Sequence, residues 1–488
     1  MTTSARTPGA TFALNDIGFI DFETRSTADL KRAGTYNYAA AADAIVLAYA
    51  IGNAPVRCAV AQRTGAAAPG ASAVALGWAD LPNALHAHHA RVERGEAIWA
   101  AWNAAFDRAV WNYSTVDFPF MAPDRIIDVA AQAVTAGLPS DLAGAARQSR
   151  VARKLEEGRA LIRLFCIGAE PATPASHPDE WARFLAYAAA DVEAMRGVFG
   201  VTRQLPRAEW EEYWAMEAIN ERGAHIDAKM AAHAAQLARE DRAHNGAELA
   251  ALTNGVITTV HQVGRMVTWL LERLPPEGQE LITTRAEEVD DDGVISRPAR
   301  HSLSRNLLTR LLAYCDGRDA DAHRLLQIRH YGGANTPAKF ARLLDQAVNG
   351  DAVLGQYVFN GAGQTGRASS RGVQIHNLAR DTLPYEHEAI EALLGGCSYA
   401  ELKALGGDVP VARTLSLLIR PTFVPACDDN VFVWSDWSQI EARVLPWLAG
   451  DEHRLDLFRA VDDDPGIPDL YIRTAAAISR LPIADIDK

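Results

Sequence analysis

Asp21 and Glu23 lie two residues apart in the run Ile17-Gly18-Phe19-Ile20-Asp21-Phe22-Glu23, so on an extended strand both carboxylates face the same side. Neighbouring carboxylates at the end of an apolar strand repel each other and resist burial unless cations sit between them, and carboxylate oxygens are what hard divalent cations bind. Two later segments carry compatible groups. Asn103-Ala104-Ala105-Phe106-Asp107 supplies a third acid, and Tyr187-Ala188-Ala189-Ala190-Asp191 sets a phenol and a fourth acid at i and i+4, on one helix face. Phe359 to Arg380 has a different character, with three arginines, several glycines, hydroxyls and amides, and no acid. Glycine admits close backbone approach, and the polar groups donate to phosphate or sugar oxygens. Finally, Val431-Phe432-Val433-Trp434-Ser435-Asp436 is a second apolar run that ends in a carboxylate.

The elements that must position these groups follow from periodicity. The runs 17–23 and 431–436 are expected as buried strands, 45–51 as a neighbour of the first, and 97–102 as a further strand. Helical patterns over about 130–205 make the first 205 residues an α/β domain. Residues 207–274 are expected to be helical, interrupted at Arg222 to Asp227 by a turn in which Asp227 caps the next helix. Residues 275–298, with an acidic cluster at 287–292, are expected as an exposed loop, and Gln439 to Leu448 as a helix. Between Arg297 and Arg342 there are nine Lys and Arg against three Asp, in a chain of net charge −13. Such a local excess can line a phosphate backbone.

The acidic segments together resemble the three exonuclease motifs of the DEDDy 3′–5′ exonuclease family. The resemblance implies a ribonuclease-H-like fold in which Asp21, Glu23, Asp107 and Asp191 hold two Mg²⁺ or Mn²⁺ ions about 3.5–4 Å apart. Tyr187 orients the attacking water, and Asn103 supports the substrate strand or Asp107. Thr365-Gly366-Arg367-Ala368-Ser369-Ser370-Arg371, continuing through Gln374 and Asn377, resembles the template-primer-binding motif of family A DNA polymerases, those related to bacterial DNA polymerase I. Asp436-Trp437-Ser438-Gln439-Ile440-Glu441-Ala442-Arg443 resembles that family's palm motif A. By this resemblance Asp436 is a catalytic metal ligand and Glu441 obstructs a ribonucleotide 2′-hydroxyl, while Gln439 helps select the nucleotide. Thr365, Arg367, Ser369, Ser370, Arg371, Gln374, Asn377 and Arg443 contact DNA. Trp437 stands where the family usually has Tyr, Ala379 where it often has Pro, and Pro446 falls inside the expected helix. The opening Asp21-Phe22-Glu23-Thr24-Arg25-Ser26 looks like polymerases of bacteriophages and prophages.

The expected organisation is an exonuclease domain at 1–205, a helical thumb-like segment at 206–345, and the start of a polymerase palm at 346–488. Motif B, which grips the triphosphate, and motif C, which supplies a second palm acid, are not found after Asp451. Arg329-His330-Tyr331-Gly332 is expected as a turn, and His177 to Glu180 and Asp451 to His453 as surface residues. The expectation is therefore a truncated frame, or one half of a split polymerase whose second polypeptide supplies those motifs and completes a Mg²⁺ site at Asp436. The expected partners are template-primer DNA, a single-stranded DNA 3′ end and dNTPs. Two other readings stand beside it, a DEDDy exonuclease with a non-catalytic DNA-binding polymerase remnant and a non-catalytic DNA-binding subunit. Composition excludes a disordered tail and a disulfide scaffold, since 49% of residues are hydrophobic and the five cysteines are scattered. No apolar run approaches the length of a membrane span, and a reducing cytoplasm is the expected location.

Overall fold

The computed structural model describes residues 11–61, 75–151, 158–167, 171–285, 288–289, 295–297, 300–333, 337–427, 429–464 and 466–486. Most of the expected acidic cluster (Glu287 and Asp290 to Asp292) lies outside them. The chain divides into two compact units, Met1–Ala426 and Cys427–Lys488.

The first unit begins with a mixed five-stranded sheet: β1 (Ile17–Arg25), β2 (Asp43–Ile51), β3 (Arg57–Val60), β4 (Ile98–Ala101) and β5 (Ile126–Asp128), in the order β3-β2-β1-β4-β5. Central β1 runs antiparallel to β2 and parallel to β4. Its side chains alternate between two cores. Ile17 and Phe19 pack with helices α4 (Val129–Thr135), α5 (Leu142–Gln148), α6 (Gly158–Cys166), α7 (Pro178–Val201) and α8 (Arg207–Arg222). Ile20 and Phe22 face the other way, toward α2 (Asn83–Glu93) and α3 (Ala104–Tyr113), while α1 (Leu30–Ala40) precedes β2. Being apolar on both faces is what a central strand covered by helices requires. Trp210, Tyr213 and Trp214 of α8 belong to the first of these cores, and the Trp214 indole donates to the Ile126 carbonyl at 2.8 Å.

Beyond α8 the first unit is largely helical. The long α9 (Ala228–Leu252) starts at Asp227, whose carboxylate accepts from the Met230 N–H, as an N-cap should. It runs past two further cores. One is shared with α10 (Val263–Arg273), α12 (Arg305–Cys315) and α13 (Ala320–Gly332), next to the short α11 (Pro276–Glu280). The other is shared with α14 (Ala338–Gln346), α15 (Glu386–Gly395), α16 (Tyr399–Gly406) and α17 (Val411–Leu417). Two expectations are corrected here, and a third segment gains an order that its composition does not announce. Residues 275–298 contain α11 and short strands, including Thr283–Arg285 and Ile295–Arg297, rather than a plain loop. Arg329-His330-Tyr331-Gly332 is the last turn of α13, held by the apolar spacing Leu325, Leu326, Ile328, and is not a free turn. Tyr357–Ala362 and Arg367–Ser370 pair as an antiparallel hairpin, so the arginine–serine segment is largely ordered by a sheet ladder.

The second unit contains α18 (Ile440–Ala449), α19 (Glu452–Asp463) and α20 (Leu470–Ser479). Here the expected strand at 431–436 is overturned. These residues form no strand, and Val433 and Trp434 are 92% and 87% exposed. A strand is stabilised by a paired neighbour and a covered face, and among the described residues the segment has no strand partner. Pro446 lies inside α18 and is its one buried residue. Among the described residues no helix is long and apolar enough to cross a membrane, and none of the five cysteines is paired.

Candidate active site and nucleic-acid interface

β4 pairs with β1 only at Ile17 to Phe19. The later residues of β1 therefore run on past β4, leaving backbone groups on that side without a ladder partner. The chain leaves β4 through Trp102, turns at Asn103 in the left-handed conformation (φ 61°), and enters α3. That short connection brings Asp107, in the first turn of α3, to the open edge, where its Oδ1 accepts from the Phe22 N–H at 3.0 Å. Phe22 lies between Asp21 and Glu23, so one backbone bond joins the first two expected motifs. A register irregularity between Glu23 and Thr24 follows directly, and bulges of this kind re-aim side chains next to active sites.

Asp21 and Glu23 share the face of Ile17 and Phe19, the face that α7 covers. On α7, Tyr187, Ala188, Asp191, Val192 and Met195 form its buried stripe. Burial, then the charges of Asp191 and Glu23, and more weakly Asp21, drive the Tyr187 phenol far above its ordinary pKa, with a hydrogen bond to Asp191 acting in the same direction. The phenol stays protonated and serves as a donor. Asp107 is also pushed well above the carboxylate range, first by burial and next by the charge of Asp21, against the opposing Phe22 bond. The five groups of the two acidic segments and α7 are thus coupled within one neighbourhood. Their hard oxygen donors suit Mg²⁺ or Mn²⁺, yet among the described residues no three His, Cys, Asp or Glu are grouped to hold a metal ion.

The walls of this neighbourhood use residues that the motifs do not reveal. Gly158 opens α6 against the Tyr187 ring, and a Cβ there would lie 2.2 Å from the ring edge, so only glycine fits. Arg25 ties the end of β1 to the carbonyls of Phe165 and Ala172 at 3.0 and 3.1 Å. Arg108, beside Asp107 but directed away from it, is 1% exposed and bonds the Tyr36 hydroxyl and the Glu221 carboxylate. It thereby fixes α3 against α8. Asp128 accepts from the Asn103 N–H at 2.9 Å, and burial pushes its carboxyl up to about 6.

The hairpin that carries the arginine–serine segment is held to these same elements. Asn220 of α8 makes two bonds to the Tyr357 backbone, 2.8 and 3.0 Å, and Asn360 donates to Thr135 of α4 at 2.6 Å. Between hairpin and sheet lies a cavity of about 580 Å³, lined by Asn103, Asp128, Tyr213, Glu217, Phe359 and Arg371 among others. Asn103 and Arg371, expected in different motifs, therefore meet across one space. Thr365 lies in the hairpin turn, where Gly366 has a positive φ of 67°. Arg367, Ser369 and Ser370 lie on the returning strand, Gln374 is the N-cap of a short 3₁₀ turn, and Asn377 is that turn's last residue. Arg371 bonds the Gly355 carbonyl through Nε at 2.9 Å.

The motif A residues of the second unit are differently placed. Asp436 is exposed on the irregular segment, so the expected setting at the end of a buried strand is not present. Gln439 is the left-handed N-cap of α18 (φ 55°), and Glu441 sits in that helix's first turn. Arg443 makes two 2.7 Å bonds to Asp462, donates to the Ser438 carbonyl, and stacks 4.6 Å from the Phe458 ring centre. In this structure it braces α18 against α19, and its guanidinium is committed within the unit.

No protein-family model matches the chain. A DNA polymerase of Bacillus phage SP02 is 29% identical over 484 residues, which are 96% of this chain and 66% of that protein. The chain resembles the phage-type family A DNA polymerases. DNA polymerase I of Streptococcus pneumoniae is 42% identical over 52 residues, 11% of this chain and 6% of that protein. Among solved structures, the POL domain of Pol1 from M. smegmatis, in complex with DNA primer-template and dNTP, aligns with a TM-score of 0.48 and 13% identity over 91% of this chain and 62% of that one. The chain thus spans just under two thirds of the length of its phage relative. The family A resemblance runs through both units; in the first, Asp107 is bonded to the strand between Asp21 and Glu23, whereas in the second Asp436 is exposed.

Proposed function

We propose that the chain is part of a family A DNA-directed DNA polymerase, and that its N-terminal sheet carries the proofreading 3′–5′ exonuclease. The observation that carries this reading is the hydrogen bond from the Phe22 N–H to Asp107, which fastens the third acid between Asp21 and Glu23 on the strand covered by Tyr187 and Asp191. The mixed sheet with a central acidic strand supports the ribonuclease-H-like assignment for residues 1–205, with a thumb-like segment at 206–345 and palm residues from 346.

In this reading Asp21, Glu23, Asp107 and Asp191 would hold two Mg²⁺ or Mn²⁺ ions, which would supply charge stabilisation for the reacting oxygens. The chain's own groups do the rest. Asp107 and the backbone of Phe22 keep the acids of β1 in register. Tyr187, protonated and donating its one O–H to Asp191, orients a water by accepting a hydrogen bond from it. The hairpin residues Arg367, Ser369 and Arg371 track the strand that delivers the 3′ end. Asp436 is the palm acid of the polymerase reaction, with Gln439 and Glu441 beside it, once a neighbouring sheet covers residues 431–436. dNTPs and template-primer DNA are its substrates, and a polypeptide carrying motifs B and C, contiguous or separate, completes it.

The test is a nuclease assay on a 5′-labelled single strand with Mg²⁺ or Mn²⁺. The expected result is stepwise loss of 3′ nucleotides, abolished in Asp21→Ala/Glu23→Ala. An unaltered rate in that double variant overturns the assignment. Primer extension with and without the polypeptide that carries motifs B and C tests the polymerase half.

A further inference from the structure

α1, the helix between β1 and β2, does more than connect two strands. It is capped at Asp29 and broken at Gly34, whose φ of 76° and ψ of 167° are not helical, a conformation that glycine takes without strain. Before the break, Arg32 forks onto the Asp345 carboxylate with bonds of 3.0 and 3.1 Å. After it come three consecutive side chains, Tyr36, Asn37 and Tyr38, and successive positions on a helix lie about 100° apart, so each meets a different neighbour. Tyr36 is buried, accepts from Arg108 at 3.2 Å and lies against Gly355, where a Cβ would come 3.1 Å from its ring. The Asn37 amide donates to the carbonyls of Asp345 and Ala347, at 3.3 and 3.1 Å. Tyr38 shares a 2.9 Å hydrogen bond with the Thr24 hydroxyl, and its ring centre lies 5.9 Å from that of Phe106.

Both partners of Tyr38 adjoin an acid, since Thr24 follows Glu23 and Phe106 precedes Asp107. Thr24 also stands at the register irregularity: Glu23 faces Val46 whereas Thr24 faces Ala44, so Ile45 is skipped. A bulge loosens the ladder locally and re-aims the side chains beside it, so the direction of Glu23 depends on what holds Thr24. Thr24 is buried, and Tyr38 holds its hydroxyl. The phenol also lies within the field of the acid, because burial raises the Tyr38 pKa, the Thr24 bond opposes, and Cys166 and Glu23 add to the rise. At the other end of α1, Asp345 and Ala347 belong to α14 and to the strand Ala347–Val348, in the helical part of the unit. An ion pair whose arginine is 74% exposed adds little to stability. Its two-pronged geometry fixes an orientation instead.

We propose that Tyr38 is a positioning residue of the exonuclease: through Thr24 it fixes the bulge that aims Glu23, and α1 sets Tyr38 in place by docking Arg32 and Asn37 on α14. This rests on the exonuclease reading above. The chemistry at the acids thereby depends on a contact made outside the sheet, between residues 313 positions apart in sequence.

The test is 3′-nucleotide release from a 5′-labelled single strand by the full chain, with kcat and KM measured separately, beside amide hydrogen exchange of the peptide that contains Phe22 to Ser26. Rates are compared well below the melting temperature of each variant, so that a loss of stability alone leaves kcat unchanged. Tyr38→Phe keeps the ring on Phe106 and removes only the hydroxyl. It is expected to lower kcat about 10- to 100-fold, the cost of misplacing a reacting group by up to about 1 Å, with KM little changed and exchange faster at the bulge. Thr24→Ser, which retains the hydroxyl, should stay close to the wild-type kcat. Arg32→Asp should lose kcat in the same direction but by less, and Arg32→Asp/Asp345→Arg, which remakes the pair with its charges exchanged, should restore both rate and protection. A wild-type kcat in Tyr38→Phe or in Arg32→Asp overturns the positioning role and leaves the exonuclease reading standing, as does a loss in Arg32→Asp that the exchanged pair fails to restore. Absence of nucleotide release by the wild type overturns the exonuclease reading and this role with it.

Discussion

Ile17-Gly18-Phe19-Ile20-Asp21 and Val431-Phe432-Val433-Trp434-Ser435-Asp436 are nearly the same pattern, an apolar run closed by a carboxylate. The first is the buried centre of a five-stranded sheet, and the second is an exposed, irregular stretch. Their intrinsic preferences do not separate them, since the second is the richer in β-branched and aromatic residues. What separates them is company. β1 has β2 along one side, β4 along part of the other and a helical layer over each face, whereas residues 431–436 have no ladder among the described residues. A carboxylate gains a shaped chemical setting only when the strand beneath it has neighbours.

The largest effect should come from the acids themselves. Asp21→Ala/Glu23→Ala is expected to bring 3′-nucleotide release to assay background while the far-ultraviolet circular dichroism stays that of the wild type. A smaller change, in stability, compares the two runs directly. Ile20→Ala removes a fully buried side chain and is expected to cost about 2–5 kcal/mol in denaturant unfolding, whereas Val433→Ala should stay within about 0.5 kcal/mol. A Val433→Ala cost as large as that of Ile20 would mean that residues 431–436 are covered in solution.

Gly158→Ala should cost about 1–3 kcal/mol by overpacking and lower the exonuclease rate by displacing Tyr187. Ring-current shifts of the Tyr187 resonances would report the displacement. If the rate is unchanged while those resonances move, Tyr187 does not orient the water.

The smallest expected effect concerns Asp128, whose folded pKa is raised from 3.8 to about 6. A raised carboxyl pKa means that the folded state holds the proton more tightly than the unfolded chain. Its stabilising contribution is complete below pH 3.8, is lost as the pH rises to about 6, and is absent above. Asp128→Asn keeps the Oδ1 acceptor for the Asn103 N–H, so it should gain up to about 1–3 kcal/mol at pH 8 and almost nothing at pH 3.5. The exposed Asp436→Asn should change stability by less than about 0.5 kcal/mol at either pH. Melting temperatures at the two pH values check both.

Much of the first unit is legible in the residues. β1 and β2 follow from their apolar runs, Tyr187 and Asp191 share a helix face by their spacing, and Asp227 announces α9 by its capping type. The arginine–serine segment was legible as polar and cationic, but its hairpin was not, because Asn220 and Thr135 hold it from 137 and 225 positions away in sequence. Gly158 gave no signal either, since a glycine required by a distant aromatic ring looks like any other.

The sequence by itself determined which groups are available and in what order: four acids and a phenol, an arginine-rich run, and an acid after a second apolar stretch. Tertiary structure alone decided which of them act together. β4 stops short along β1, so Asp107 reaches the Phe22 N–H. α1 docks on α14, so Arg32 meets Asp345 while Tyr38 reaches Thr24. No neighbouring strand among the described residues covers residues 431–436, so Asp436 stays exposed. The physical reason is the same in each case: side-chain type is a local property, whereas burial, pairing and the electric field at a site are sums over neighbours that only the folded chain supplies.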